Sequence, residues 1–151
     1  MPEQDFVHLH VHTDYSMLQA ACTVSKLAVK AADDDMKALA LTDYANLCAA
    51  VVFSQALKKA GIKPIIGCDF FVATGKYTDK SSQQDKPSGY NLVLLAKNFE
   101  GYQNICRLNA RAHLEGYHIK PRVDKELLAM HNEGLIALSS CKNGEIYEAL
   151  K

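Results

Sequence analysis

The chain has 151 residues, and its 17 lysines and arginines balance 17 aspartates and glutamates, so no overall field draws it to nucleic acid or to an anionic membrane. That length, with 48% hydrophobic residues, is enough for one domain to build a core without staples. Five scattered cysteines without a C-x-x-C pair, no signal-peptide pattern at the start, and no apolar run near the roughly 18 residues of a membrane span lead us to expect a reduced, cytoplasmic protein.

The first predicted element is a strand at Phe6 to Val11, FVHLHV. Alternate residues of a strand share a face, which would point His8, His10 and His12 of the HLHVH run together. Imidazoles ligate zinc, iron, manganese and nickel, but such a cluster needs further ligands from elsewhere in the fold. Val24, Leu27, Ala28 and Ala31 mark one face of a helix. Ala38 to Thr42 is a short buried strand, and Asn46 is placed to cap a helix, LCAAVVFSQALKKA, that stops at Gly61. KPIIGCDFFVA gives a third strand, and the polar stretch from Thr74 to Gly89 an exposed loop, the segment expected to move most. NLVLLAK is a fourth strand, Asn98 caps a helix carrying Ile105, Leu108 and Ala112, Asp124 caps VDKELLAMH, and LIALSS is a fifth strand.

Repeated β-α units with short connections predict a parallel sheet, open and doubly wound or closed as a barrel. No glycine-rich phosphate loop follows the first strand, which favours the barrel, with its chemistry at the carboxyl ends of the strands. Those ends carry His10 and His12, then Asp43 and Tyr44, then Cys68 and Asp69, and last Cys141. Each has an ordinary structural reading beside the functional one. Asp43 is as natural in a turn or helix cap as in catalysis, Cys141 as a small buried hydrophobe, and His8 beside a ligand set rather than in it. His113, His118, His131 and the HIKPRVDK run read as surface, although HIKPR could contribute to a partner surface. Five strands are too few to close a barrel and GEIYEALK ends without a cap, so an N-terminal fragment is expected.

Six blocks carry a resemblance: FVHLHVHTDYSML, LALTDYANLCAAVVF, AGIKPIIGCDFFVA, LVLLAKNFEGYQNI, EGYHIKPRVDKELL and NEGLIALSSCKNGEI. In that order they resemble the N-terminal PHP (polymerase and histidinol phosphatase) domain of the alpha subunits of bacterial DNA polymerase III. The resemblance implies an α/β fold, a distorted (β/α)7 barrel of which residues 1–151 are an incomplete N-terminal portion, with the rest of the barrel and the polymerase domains following. It implies metal-ligand positions at His10, His12 and Cys141, and at Asp69 where the family has glutamate. Gln19 stands where the family has an acidic ligand, and Tyr44 and Asn91 stand where it has histidines. Three such replacements imply a degenerate site with no cofactor in this segment.

The function so implied is structural. The segment would serve as a docking platform for the proofreading exonuclease subunit and other replisome subunits, in a cytoplasmic DNA-directed DNA polymerase, a nucleotidyltransferase. That polymerase would use Mg2+ and contact DNA through domains outside these residues. The alternative is a metal-dependent phosphoesterase, of exonuclease or pyrophosphatase type, that uses His10, His12, Asp69 and Cys141 to hold Zn2+ or Mn2+. No membrane partner is expected, while the open edge at LIALSS invites a fragment dimer.

Overall fold

In the computed structural model, which describes residues 6–81, 88–140 and 142–151, the sheet is organised by β2 (Lys63–Val72). Its residues alternate faces as a strand must: Ile66, Cys68, Phe70 and Val72 pack toward helices, while Ile65 and Asp69 lie on the opposite face. The start of β2 pairs in parallel with β1 (Ala38–Leu41), from Ala38↔Lys63 to Leu41↔Ile66. Its end pairs in parallel with β5 (Lys120–Val123), through Phe71↔Arg122 and Val72↔Val123. Along its other edge runs β3 (Tyr90–Ala96), antiparallel, and β6 (Leu135–Ser139) is antiparallel to β3 in turn. The two-residue β4 (Tyr117–His118) completes the sheet beside β5.

The class is α/β, but the expected all-parallel sheet gives way at β3 and β6. A parallel return needs a crossover, usually a helix, and no helix lies in the described part of the connection between Val72 and Tyr90, so the chain comes back antiparallel. Gly67 sits at this junction because only hydrogen fits there: a Cβ would lie 2.5 Å from Leu94 O and 2.6 Å from Leu95 Cδ2.

The predicted first strand is not a regular one. His8 O accepts from Ala40 N at 3.0 Å and Val11 O accepts from Thr42 N at 2.9 Å, so three steps along the first segment match two along β1. That extra residue is a bulge, and it breaks the alternation that would have put three histidines on one face. Thr42 Oγ1 secures the distortion, accepting from Val11 N at 2.8 Å and donating to Val11 O at 3.0 Å.

Among the described residues five helices flank the sheet: α1 (Val24–Asp33), α2 (Ala50–Lys59), α3 (Phe99–Leu114), α4 (Lys125–Met130) and α5 (Glu145–Ala149). Asn98 Oδ1 caps α3 through Gly101 N at 2.9 Å and Asp124 Oδ1 caps α4 through Leu127 N at 2.8 Å, as their spacing predicts. Asn46 does not cap α2, which begins four residues later. Its amide instead donates to Tyr44 O and Tyr15 O while Oδ1 accepts from Cys48 N, tying together the loop that leaves β1. One core lies between sheet and α3 with α4, around Phe70, Ile105, Leu108, Val123 and Leu127; a second lies under α1 and α2, around Leu39, Leu41, Phe53 and Leu57.

Two expectations of solvated segments need correction. Residues 82–87 of the Thr74 to Gly89 stretch lie outside the described residues, but Tyr77 within it is buried, donating its backbone N–H to Asp124 Oδ2 at 3.0 Å. Arg122 of the HIKPRVDK run is also fully buried, because its Nη2 reaches back to Asp79 O at 2.6 Å and Tyr77 O at 3.3 Å. No helix among the described residues is long and apolar enough to cross a membrane.

Candidate metal centre

Asp69 is buried in the second half of β2, and three side chains converge on its carboxylate. Oδ2 lies 2.8 Å from His10 Nε2 and 3.3 Å from His12 Nε2, and Oδ1 accepts from Asn91 Nδ2 at 3.0 Å. Asn91 reaches it from β3, where it faces Phe71 across the antiparallel ladder. Burial pushes the Asp69 carboxyl upward, but the hydrogen bonds from His10, His12 and Asn91 outweigh it and hold the group below its ordinary range. The His10 side chain keeps 34% of its surface exposed, so the cluster opens to solvent on that side.

Tyr44 forms the wall. Its ring is stacked on His12, with centroids 4.0 Å apart and planes 16° from parallel, and on its way to β2 it lies 5.8 Å from the Phe71 ring. This stacking sets the Tyr44 phenol beside the cluster, where the family resemblance implies an imidazole.

Asp43 is drawn into the turn after His12 rather than onto the histidines. Its Oδ1 accepts from Thr13 N at 2.6 Å and Ser16 Oγ at 2.7 Å, and its Oδ2 from Thr13 Oγ1 at 2.7 Å. Thr13, Ser16 and Asp43 are all buried. Tyr44 N donates to the same Ser16 Oγ at 3.1 Å, so one network ties the turn that follows His12 to the backbone of the tyrosine stacked on its ring. Thr13 and Ser16 were not singled out in the sequence, although hydroxyl residues flanking a tight turn are the usual local partners of a buried carboxylate.

The remaining candidate residues fall elsewhere. His8 packs edge-on to Phe6, ring centroids 4.7 Å apart, and lines a groove with Val11, Leu27 and Met36 against α1. Gln19 is exposed, just past Leu18 at φ 64°, in a turn closed by its N–H on Ser16 O at 2.9 Å. Cys141 lies outside the described residues; Asn143 O accepts from Asn91 N of β3 at 2.9 Å.

Among the described residues, the donor atoms of His10, His12 and Asp69 all lie within 4.8 Å of one another, a set able to hold a divalent ion. Two imidazoles and a carboxylate match the donor count of three-ligand catalytic centres and fall one short of a structural zinc site. Both imidazoles meet the same carboxylate oxygen, Asp69 Oδ2, through Nε2.

The PHP domain family matches residues 8–151. Relatives named DNA polymerase III subunit alpha include those of Chlamydia trachomatis, 42% identical over 144 residues, and of Treponema pallidum, 45% identical over 146 residues. The Thermus aquaticus relative of the same name is 46% identical over 144 residues. These alignments cover 95%, 97% and 93% of this chain but only 12% of each relative. Among solved structures, a candidate metal-dependent phosphoesterase from Bifidobacterium adolescentis superposes with a TM-score of 0.52 at 15% identity, over 74% of this chain and 34% of that one. An amidohydrolase from Chromobacterium violaceum gives 0.50 at 19% identity, over 70% and 32%. At these identities the likeness speaks to the fold.

Proposed function

Since the chain belongs to the PHP domain family, we propose that it is the PHP segment of a DNA polymerase III alpha subunit whose ancestral metal centre has become a polar clasp. In this reading residues 1–151 form the N-terminal portion of a PHP domain that acts as scaffold and docking platform. The parent chain is a DNA-directed DNA polymerase of the cytoplasmic replisome, a Mg2+-dependent nucleotidyltransferase, and the partner at the platform is the proofreading exonuclease subunit.

The observation that carries the reading is the closure of His10, His12 and Asn91 onto Asp69 under the Tyr44 ring. Metal ligands converge on a shared point as these donors do, so what separates a clasp from a metal centre is what stands beside them, an amide at Asn91 and a phenol at Tyr44 where the resemblance implies imidazoles. Here the amide donates to the carboxylate and the imidazoles share one of its oxygens. Losing one supporting partner of a metal site commonly costs about 10- to 100-fold in affinity or activity, so imidazoles replaced at Tyr44 and Asn91 weigh heavily. The names of the relatives support the polymerase context. Size-exclusion chromatography of the chain mixed with the exonuclease subunit of the same organism tests the docking role. Co-elution is expected; separate elution, repeated with the whole alpha subunit, would refute it.

A second reading is favoured by the three converging donors and by the name of the structural neighbour. In it His10, His12 and Asp69 hold Zn2+ or Mn2+, with Cys141 as a fourth candidate. Such an ion, when bound, activates water for phosphodiester or pyrophosphate hydrolysis. Asn91 then orients Asp69, and Asp43 holds the turn that aims His12. Manganese-dependent hydrolysis of bis(p-nitrophenyl) phosphate that disappears in His12→Ala would favour this reading over the first.

A further inference from the structure

The turn that leaves β1 contains a strained residue. Ala45 is buried and has φ 44°, in the left-handed region that a side chain disfavours. Such a conformation persists where the surrounding structure holds it from more than one side. Ala45 is held from two. Its N–H donates to Asp69 O at 2.9 Å, and its carbonyl oxygen lies 2.7 Å from Nε2 of His113, 68 residues along the chain. A carbonyl only accepts, so the proton belongs on Nε2, which donates whether the imidazole is neutral in that tautomer or charged.

His113 stands in the last turn of α3 and is exposed, as the sequence suggests, yet its ring reaches across to this turn. The helix is a rigid mount for it, since Ile105, Leu108 and Ala112 are fully buried against the sheet. The residue before Ala45 is Tyr44, whose N–H donates to Ser16 Oγ at 3.1 Å and whose ring covers His12 with centroids 4.0 Å apart. Tyr44 is thus secured on both sides, at its own nitrogen by Ser16 and through the pinned Ala45 that follows it.

We propose that His113 is a positioning residue for the candidate metal centre: its Nε2–H holds the left-handed turn at Ala45 that lays the Tyr44 ring on His12. It acts through Ala45 and Tyr44 and not on the three donors themselves. The inference rests on neither reading of the centre, since a clasp and a metal site alike need the His12 ring in one pose. A histidine that merely tied a helix end to a loop would lower stability without touching that ring, so the test reads the ring.

NMR carbon–proton correlation spectra of the chain with labelled histidine give that reading, with His12→Asn identifying the His12 signals. Tyr44→Leu removes the ring above His12 and marks where the imidazole protons resonate without the stack. His113→Phe keeps a ring but offers no donor, and it should carry the His12 protons most of the way to the Tyr44→Leu position. His113→Gln, whose amide can still donate to Ala45 O, should keep them near the native one. Far-UV circular dichroism checks that each variant is folded, and His113→Ser, too short to reach the carbonyl, takes the place of the phenylalanine variant if that one unfolds. His12 protons that stay in place in the variant without a donor, or that move equally in His113→Gln, would overturn the proposal.

Discussion

Replacing Asp43 by alanine removes the acceptor shared by Thr13 N, Thr13 Oγ1 and Ser16 Oγ, all in a region closed to solvent. A buried donor left without an acceptor costs about 1–3 kcal/mol, so three would cost about 3–9 kcal/mol if nothing relaxed. Both hydroxyls can rotate to other acceptors and the backbone N–H can meet entering water, which brings the expectation to about 3–5 kcal/mol. Against a total of about 5–15 kcal/mol for a domain, that is a large fraction. Asp43→Asn keeps an oxygen for Thr13 N and lets a hydroxyl accept from the new amide, so it should cost about 1–2 kcal/mol. Urea unfolding followed by far-UV circular dichroism measures both, with unchanged slopes confirming that the folded and unfolded states compare. An alanine variant within about 1 kcal/mol of the native chain, the range of an ordinary substitution, would show that Asp43 does not hold the turn.

Gly67→Ala should destabilise the chain by roughly 1–3 kcal/mol, because the new methyl collides with Leu94 O and β2 must part from β3; an unchanged urea midpoint would contradict the close approach. The Tyr77 phenol is held above its ordinary range by burial first and then by its hydrogen bond to Glu115, with Arg111 opposing. A raised acid stabilises the fold in its protonated form, so this contribution is intact below the unfolded phenol value and lost as pH rises through the folded one. Tyrosine titration by NMR should find Tyr77 among the last to ionise, and Tyr77→Phe should remove that part of the alkaline loss of stability. Gln19→Asp, Tyr44→His and Asn91→His should together raise affinity for Mn2+ or Zn2+ in calorimetry, while each alone does little, because an ion needs several ligands held at once; no gain in the triple variant would mean the pocket has been remodelled beyond its ligands.

The helices were the most legible part of the sequence, for a local reason. Asn98 and Asp124 sit three residues before the amide each caps, and Val24, Ala28 and Ala31 repeat on one face. The sheet was less legible because strand direction depends on what joins the strands. The lack of a helical pattern between Val72 and Tyr90 was in the sequence, and weighing it as a missing crossover would have called for an antiparallel β3. The bulge at His8 to Val11 was hidden, since it arises from pairing with β1 and the residue after it, Thr42, which is 31 positions from Val11. With it went the expectation of three histidines on one face, leaving His10 and His12 on Asp69 and His8 against α1. Arg122 read as solvated because its acceptors are the backbone carbonyls of Tyr77 and Asp79, which carry no side-chain signal. For Asp43 the sequence left turn and catalysis open, and three short hydrogen bonds place it in the turn. Asn91 was reached through the family resemblance, and the structure sets its amide on the Asp69 carboxylate.

The account turns on whether the His10–His12–Asp69 cluster is a clasp or a working metal centre. Mass-spectrometric metal analysis of the chain, purified without chelator or histidine tag and equilibrated with zinc, manganese and iron, decides it most directly. A clasp predicts metal far below one equivalent, unchanged by His12→Ala. Near-stoichiometric metal that falls in the His12→Ala variant would contradict it and establish the phosphoesterase reading as the better one.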